Sequence, residues 1–183
     1  MSLNPAIGIV PAQLTHILNE IILAAGLKIT LKPCREVESA EYGACRLDIE
    51  GKTVLFRVAN TTPTKIGQFV TVWQRQASEG EIAPFDYHDP IDFIMVYVFE
   101  HQHCGLFIFN KDILAQKNVI SMRGKGGKRG IRVYAPWIST IAKQAIATQK
   151  WQREYFISAN SINGTNKHHI LDIERVHRLF GIT

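Results

Sequence analysis

Residues 123–132 (RGKGGKRGIR) concentrate positive charge on a glycine-rich backbone. Five cationic side chains and four glycines occur within ten residues, with no carboxylate among them. Because glycine lets backbone N–H groups approach an oxyanion closely, such a segment can hold a phosphate or another anion. It lacks the Gly-Lys-Ser/Thr ending of a Walker loop, so it indicates a type of ligand and not a reaction. The alternative is a solvated turn whose charges only aid solubility. The candidate anion-binding side chains are Arg123, Lys125, Lys128, Arg129 and Arg132.

The segment 61–69 (TTPTKIGQF) carries a second set of short polar side chains. Pro63 fixes the backbone, and Gly67 permits a sharp turn. We therefore expect the neighbouring side chains to converge on one point, where they could hold a phosphate or a base edge. The alternative is a turn whose threonine hydroxyls bond their own backbone. The residues concerned are Thr62, Thr64, Lys65 and Gln68.

Scattered carboxylates offer a different chemistry. Glu41 precedes a predicted hairpin and Asp92 stands at the start of a predicted strand. If they met beside Lys65, they could bind Mg²⁺ for phosphodiester hydrolysis, with Arg57 stabilising the transition-state charge. The simpler interpretation is solvation and capping, because their spacing does not require them to converge. No resident metal or cofactor is expected, and Mg²⁺ is needed only if the protein is a phosphodiesterase.

Hydrophobic periodicity predicts the elements that position these residues. The sequence predicts an α/β (α+β) fold, a single domain with one mixed β-sheet flanked by helices. Residues 1–157 form the domain, and residues 158–183 form a linker and an amphipathic helix that packs on it. The predicted strands are 44–50 and 53–59 (a hairpin), 69–74, 93–99 (central, covered on both faces), 105–109 and 131–134. The predicted helices are 11–25, 111–116, 139–156 and 168–180, and residues 78–90 are predicted to be a loop.

Composition limits the class of protein. The chain has 183 residues, is 46% hydrophobic and carries a net charge of +5, which suits one soluble domain with a polyanion as a possible partner. Three scattered cysteines argue against a disulfide framework. No apolar run approaches the roughly twenty residues of a membrane span, so no membrane association is expected. A cytoplasmic location is predicted.

Several sequence blocks, in the same order, resemble the MepB-like family over roughly residues 35–157. They include residues 41–43 (EYG), 56–57 (FR), 62–69 (TPTKIGQF), 126–129 (GGKR), 132–134 (RVY), 136–137 (PW), 143–145 (KQA) and 148–152 (TQKWQ), together with Trp73. The family has no assigned biochemical role. The resemblance implies a fold of the restriction-endonuclease type, a mixed sheet between helices. Active nucleases of that fold carry an acid followed by Asp/Glu-x-Lys, and this signature is not found here. Arg57 stands where such an acid would be expected, and Lys65 has no paired Glu.

We therefore predict a binding module for nucleic acid or a phosphorylated ligand. Its cleft is expected to be lined by Arg57, Lys65, Gln68, Lys128, Arg129 and Arg132. Two alternatives remain open: a metal-dependent phosphodiesterase or nuclease, and a protein-interaction module whose basic loop docks an acidic partner.

Overall fold

The computed structural model describes residues 8–75, 80–159 and 166–182. Its helices are α1 (Ala12–Ile17), α2 (Lys111–Gln116), α3 (Lys143–Gln152) and α4 (Asn166–Phe180). Its strands are β1 (Ile29–Arg35), β2 (Cys45–Ile49), β3 (Lys52–Val58), β4 (Asn60–Thr62), β5 (Lys65–Thr71), β6 (Trp73–Arg75), β7 (Ile82–Pro84), β8 (Phe93–Glu100), β9 (His103–Asn110), β10 (Gly130–Val133) and β11 (Phe156–Ser158).

A six-stranded mixed sheet forms the centre of the domain, in the order β1-β2-β3-β8-β9-β11. Strands β3 and β8 run parallel, and the other neighbours are antiparallel. The predicted hairpin is confirmed as β2–β3, and its turn residues Glu50 and Gly51 have φ angles of 51° and 72°. Positive φ at both positions suits a two-residue turn that follows the twist of the strands.

Strand β8 is buried on both faces, as its uninterrupted apolar sequence predicts. Phe93, Met95 and Tyr97 belong to one core, together with α1, its π-helical continuation Leu18–Leu23 and α4. Ile94 and Val96 belong to a second core on the opposite face. The central sheet therefore separates a helical layer from a layer of mixed structure.

The mixed layer contains α2, α3 and two small antiparallel sheets, one ordered β10-β5-β4 and the other formed by β6 and β7. Apolar residues of β5 and β10, among them Val70, Ile131 and Val133, pack into the second core. Because side chains alternate along a strand, Arg132 on β10 and Tyr134 just after it are left half-buried on the outer face. This layer carries nearly all of the predicted ligand-binding residues.

The C-terminal helix packs against the helical layer. Val176, Leu179 and Phe180 are buried in the first core, and the Phe180 ring lies 4.8 Å from that of Phe93. The Arg175 Nε donates to the carbonyl of Phe156 at 2.8 Å. Most of the predicted polar linker lies outside the described residues. Among the described helices, none is long and apolar enough to cross a membrane.

Some predicted elements differ from the structure. The long helix 139–156 is shorter, because α3 ends at Gln152 and, after one 3₁₀ turn, the chain becomes strand β11. Pairing with β9 overrides helical propensity at these residues. As neighbours on a strand, Phe156 is buried in the second core and Ile157 in the first. The predicted loop 78–90 contains β7, and β1 lies in a segment with no predicted strand. The single predicted sheet is accompanied by two smaller ones.

The contact between β9 and β11 gives a stability prediction. A Cβ at Gly105 would lie 2.2 Å from the Phe156 ring and 2.7 Å from the Ile157 carbonyl oxygen. We expect Gly105→Ala to lower the free energy of unfolding by about 2 kcal/mol through overpacking, as measured by urea denaturation. Gly8→Ala is the control, because a Cβ there meets nothing within 4 Å. Equal midpoints for the two variants would contradict the prediction.

Candidate functional site

The basic segment begins with a tight hairpin turn and is not an open loop. Met122 and Lys125 exchange two backbone hydrogen bonds of 3.0 and 3.1 Å. Between them, Arg123 and Gly124 have φ angles of 52° and 72°. This geometry matches a type I′ turn, in which both central residues take positive φ. The side chains of Arg123 and Lys125 are exposed at this turn.

Several backbone N–H groups in this segment already donate hydrogen bonds to acceptors within the protein. The N–H of Gly124 donates to the Asp86 carboxylate at 2.9 Å, and that of Gly127 donates to the Asn118 side chain at 3.0 Å. The N–H of Lys128 bonds the carbonyl of Val119 at 2.9 Å. The expected cradle of free glycine amides is therefore largely occupied by internal acceptors. Any anion site here must rely on the cationic side chains.

Asp86 anchors the turn. Its carboxylate accepts hydrogen bonds from the Gly124 N–H, from the Ser121 hydroxyl at 2.6 Å, and from the N–H and ring Nδ1 of His88. These bonds, with that from Gly124 contributing most, hold the pKa of Asp86 well below its ordinary value. The carboxylate therefore stays ionised and keeps the basic turn in place.

Arg132 joins the basic segment to the Thr-Pro-Thr turn, so part of the predicted convergence occurs. Its Nη2 donates to the Thr62 hydroxyl at 2.7 Å, and its Nη1 donates to the carbonyl of Gly67 at 3.1 Å. The guanidinium also lies over the Phe69 ring, 5.9 Å from the centroid. Arg132 is thus held in a fixed position, which favours its use as a ligand contact.

The remaining polar residues of the Thr-Pro-Thr segment do not converge on one point. The chain reverses at Pro63 and Thr64, between the paired residues Thr62 and Lys65, and not at Gly67. Thr64 and Lys65 are exposed. The Gln68 amide is buried and donates to the Thr61 hydroxyl and the Phe99 carbonyl. Gln68 therefore has a structural role in the hairpin.

A cleft of about 580 Å³ lies between β10 and α3. Lys128 and Arg132 line it from the basic segment, and Lys117 lines it from the end of α2. Helix α3 contributes Gln144 and Thr148. Among the described residues, no Asp or Glu side chain lines this cleft. Its volume is within the range of small-ligand sites.

Two glutamines attach α3 to the free edge of β10. The buried Gln152 accepts from the Tyr134 N–H at 2.8 Å and donates to the Arg132 carbonyl at 2.9 Å. Gln149 donates to the carbonyls of Ala135 and Ile138 at 2.9 and 2.7 Å. Because these residues are three apart on α3, one face of the helix satisfies the backbone groups that the strand leaves unpaired. The two walls of the cleft are therefore held together.

Trp151 and Lys117 give the cleft a cationic and aromatic corner. Trp151 packs against the second core, with its ring 5.3 Å from that of Phe109, and it also lines the cleft. The Lys117 Nζ lies 5.8 Å from the centroid of its indole. Aromatic residues at helical spacing, such as Trp151 and Tyr155, more often fill a core, so the sequence favours a core role for Trp151. The sequence did not identify Lys117 as a site residue. The sequence does predict a helix at 111–116 that is followed by Lys117. Nothing in the sequence places the end of that helix beside α3.

Arg57 lies apart from this cleft. It is 2% exposed, and its Nη1 donates to Glu36 Oε2 at 2.7 Å and to the Phe56 carbonyl at 2.9 Å. Burial lowers the pKa of the Arg57 guanidinium, and the Glu36 carboxylate opposes that change. Arg57 instead lines a separate pocket of about 170 Å³ together with Glu36. The cleft predicted from the sequence therefore corresponds to two cavities, and Lys65, Gln68 and Arg129 do not line either of them.

The structure does not bring Glu41 and Asp92 together. Glu41 is exposed in the connection from β1 to β2, before the start of β2. The Asp92 carboxylate accepts from the Thr53 N–H at 2.9 Å, level with Asp48 near the other end of β2. Asp92 thus caps the start of the parallel pair β3–β8. Within the described ranges, no three His, Cys, Asp or Glu side chains form a group that could hold a metal ion.

Comparisons with known proteins place this architecture in a family. The MepB-like family model matches residues 36–158. The chain belongs to the MepB-like family. The crystal structure of MepB is similar to it, with a TM-score of 0.66 and 30% identity over 76% of this chain and 89% of that chain. No curated protein matches the sequence. The family match includes both cavity-lining regions, whereas the likeness to restriction endonucleases stays a prediction.

The anchor of the basic turn gives a testable pH dependence. We expect Asp86→Ala to lower the hydrogen-exchange protection of the Gly124 amide about tenfold at pH 7, because the amide loses its acceptor. Since the pKa of Asp86 is depressed in the folded protein, the contribution is present above the unfolded pKa of about 3.9. This contribution to Gly124 protection is lost as the pH falls towards the pKa of Asp86 in the folded protein. The difference in protection between the wild type and Asp86→Ala should therefore shrink below about pH 4.

Glu81→Ala is the control for this measurement, because it removes an exposed carboxylate of the same charge. Gly124 protection that is unchanged in Asp86→Ala, or equally reduced in both variants, would show that Asp86 does not hold the turn.

The attachment of α3 gives a stability prediction. Gln152→Met keeps the side-chain length but leaves the Tyr134 N–H and the Arg132 carbonyl without partners. We expect the free energy of unfolding to fall by about 2 kcal/mol, as measured by urea denaturation. Gln144→Met, at an exposed position of the same helix, should change it by less than about 0.5 kcal/mol. Equal effects at the two positions would contradict the structural role of Gln152.

Proposed function

We propose that this MepB-like protein binds nucleic acid or a phosphorylated ligand in the cleft between β10 and α3. One observation carries the proposal: the cleft combines Lys117, Lys128 and Arg132 with an aromatic wall, and no carboxylate of the described residues lines it. Lysine and arginine are the side chains that contact phosphates. Without acidic residues to neutralise them, their positive charge is available to a ligand.

The N-terminal end of α3 adds to this preference for an anion. Ala142 at the N-cap lines the cleft and has no side-chain acceptor for the N–H groups of the first helical turn. The first turn contains no acidic residue. Because the helix dipole places partial positive charge at this end, it favours an anion beside the three cationic side chains.

The aromatic and amide side chains supply the other half of a nucleotide site. Trp151 lines the cleft and offers apolar surface on which a base could stack. Gln144 and Thr148, on the same wall, carry hydrogen-bonding groups. The basic turn precedes Lys128 in the chain and adds two exposed cationic side chains, Arg123 and Lys125.

The test is fluorescence anisotropy of labelled single-stranded DNA, single-stranded RNA and duplex DNA across a salt series, with a labelled nucleoside monophosphate as the small probe. Lys117→Ala with Lys128→Ala should weaken binding at least about tenfold and reduce the salt slope by about one to two charges. The matched control is Lys32→Ala with Lys52→Ala, which removes the same charge from exposed positions on β1 and β3.

The outcomes separate the hypotheses. Equal losses in the two double variants would mean that only net charge matters, and the cleft would be excluded as the site. No binding of any probe at low salt would exclude the proposal and leave the docking of an acidic protein partner. We also propose a cytoplasmic location, which the three free cysteines favour.

A further inference from the structure

The pocket around Arg57 is a second candidate site with a different composition. It shares no lining residue with the cleft between β10 and α3. Arg46 and Arg57 of the central sheet form one side, and the side chains of β6 with Phe85 form the other. The full lining is Glu36, Glu38, Arg46, Arg57, Trp73, Gln74, Arg75 and Phe85.

A fully buried arginine in the middle of a sheet needs an explanation. Arg57 occupies the core-facing side of β3, between the buried Leu55 and Ala59. A buried ion pair seldom stabilises a fold more than apolar residues of similar size would. The Arg57 Nε is buried with no hydrogen-bond partner, although buried polar groups are nearly always bonded. Such a costly group at the wall of a pocket indicates a role in binding.

Among the described residues, the carboxylates that line the pocket are fewer than the arginines. Glu36 is shared by Arg57, at 2.7 Å, and Arg46, whose Nε lies 3.4 Å from the other carboxylate oxygen. Glu38 is paired loosely with Arg75, at 3.9 Å. Among the described residues, three guanidinium groups therefore line the pocket with two carboxylates, and the Arg57–Glu36 pair has the shortest contact.

Asp89 accepts a hydrogen bond from a residue of the pocket but does not line the pocket itself. Gln74 donates to the Asp89 carboxylate, and the same oxygen accepts from the Asp86 N–H at 2.6 Å. This oxygen of Asp89 is therefore already bonded by two internal donors. Arg75 lies over the Trp73 ring, 5.7 Å from its centroid, and is about one-third exposed. Its guanidinium can reach a ligand that enters from solvent.

We propose that this pocket binds a small oxyanion, a phosphate or a carboxylate group, between Arg46 and Arg75 and above the buried Arg57–Glu36 pair. The oxyanion supplies the charge that the shared Glu36 cannot provide. The planar guanidinium groups suit a bidentate contact with either kind of anion. The volume of about 170 Å³ admits a small anion or the end group of a larger ligand.

The proposal is tested by thermal unfolding in increasing potassium phosphate or potassium acetate, with potassium chloride at matched ionic strength as the reference. Ligand that binds the folded state raises the melting temperature in a saturable manner. We expect one or both oxyanions to stabilise the protein beyond chloride, and the more effective one identifies the preferred group. Arg46→Gln with Arg75→Gln should raise the midpoint concentration at least about tenfold.

A variant that is expected to strengthen anion binding controls for variants that weaken it only because they fail to fold. Glu38→Gln removes the loose partner of Arg75, so it should lower the midpoint concentration of the same anion. Lys117→Ala with Lys128→Ala should leave this effect unchanged, which separates the pocket from the cleft of the proposed function. No stabilisation beyond chloride, or stabilisation lost in the lysine variant and retained in the arginine variant, would overturn the proposal. So would weaker binding by Glu38→Gln.

Discussion

The burial of β8 on both faces determines the arrangement of the whole domain. A strand with apolar side chains on both sides must be covered twice, so the sheet needs a layer on each face. The helices α1 and α4 form one layer, and the small sheets with α2 and α3 form the other. Only the second layer is assembled from short, irregular pieces. The cleft lies in that layer, and the pocket lies where that layer meets the central sheet.

The junction between α3 and β10 depends on glutamine side chains that hydrogen-bond backbone groups as a neighbouring strand would. A strand at the edge of a small sheet exposes N–H and carbonyl groups that another chain could pair with. Gln152 donates to the Arg132 carbonyl on β10 and accepts from the Tyr134 N–H just after the strand. Gln149 donates to two carbonyls in the following connection. These bonds keep α3 beside the strand without a continuous apolar contact. The cleft can therefore remain open and polar while its walls stay in register.

Charge is distributed differently in the two cavities. In the cleft, no carboxylate of the described residues lines the walls beside the cationic side chains, and the proposed anion site rests on this arrangement. In the pocket, carboxylates partly neutralise the arginines, and the buried Arg57 is held by one close ion pair. The first arrangement suits a polyanion or phosphate approaching from solvent, and the second suits a single small group in a fixed orientation. Their separation allows each to be altered without the other.

The sequence by itself determined the local elements and the family. Hydrophobic periodicity predicted the β2–β3 hairpin, and an uninterrupted apolar run predicted the central β8, because both patterns depend only on the local backbone. It also located the basic segment and named Thr62 and Arg132 as candidate ligand-binding residues, and the structure shows the hydrogen bond between them. It did not predict that Asp86 and Asn118 occupy the glycine amides, or that Arg57 pairs with Glu36 in a pocket of its own. The Asp86–Gly124 and Arg57–Glu36 pairs join residues far apart in the chain, as does the contact of Lys117 with Trp151 in the cleft. Only the packing of the mixed layer against β8 could decide them, since no local pattern records which distant side chains meet.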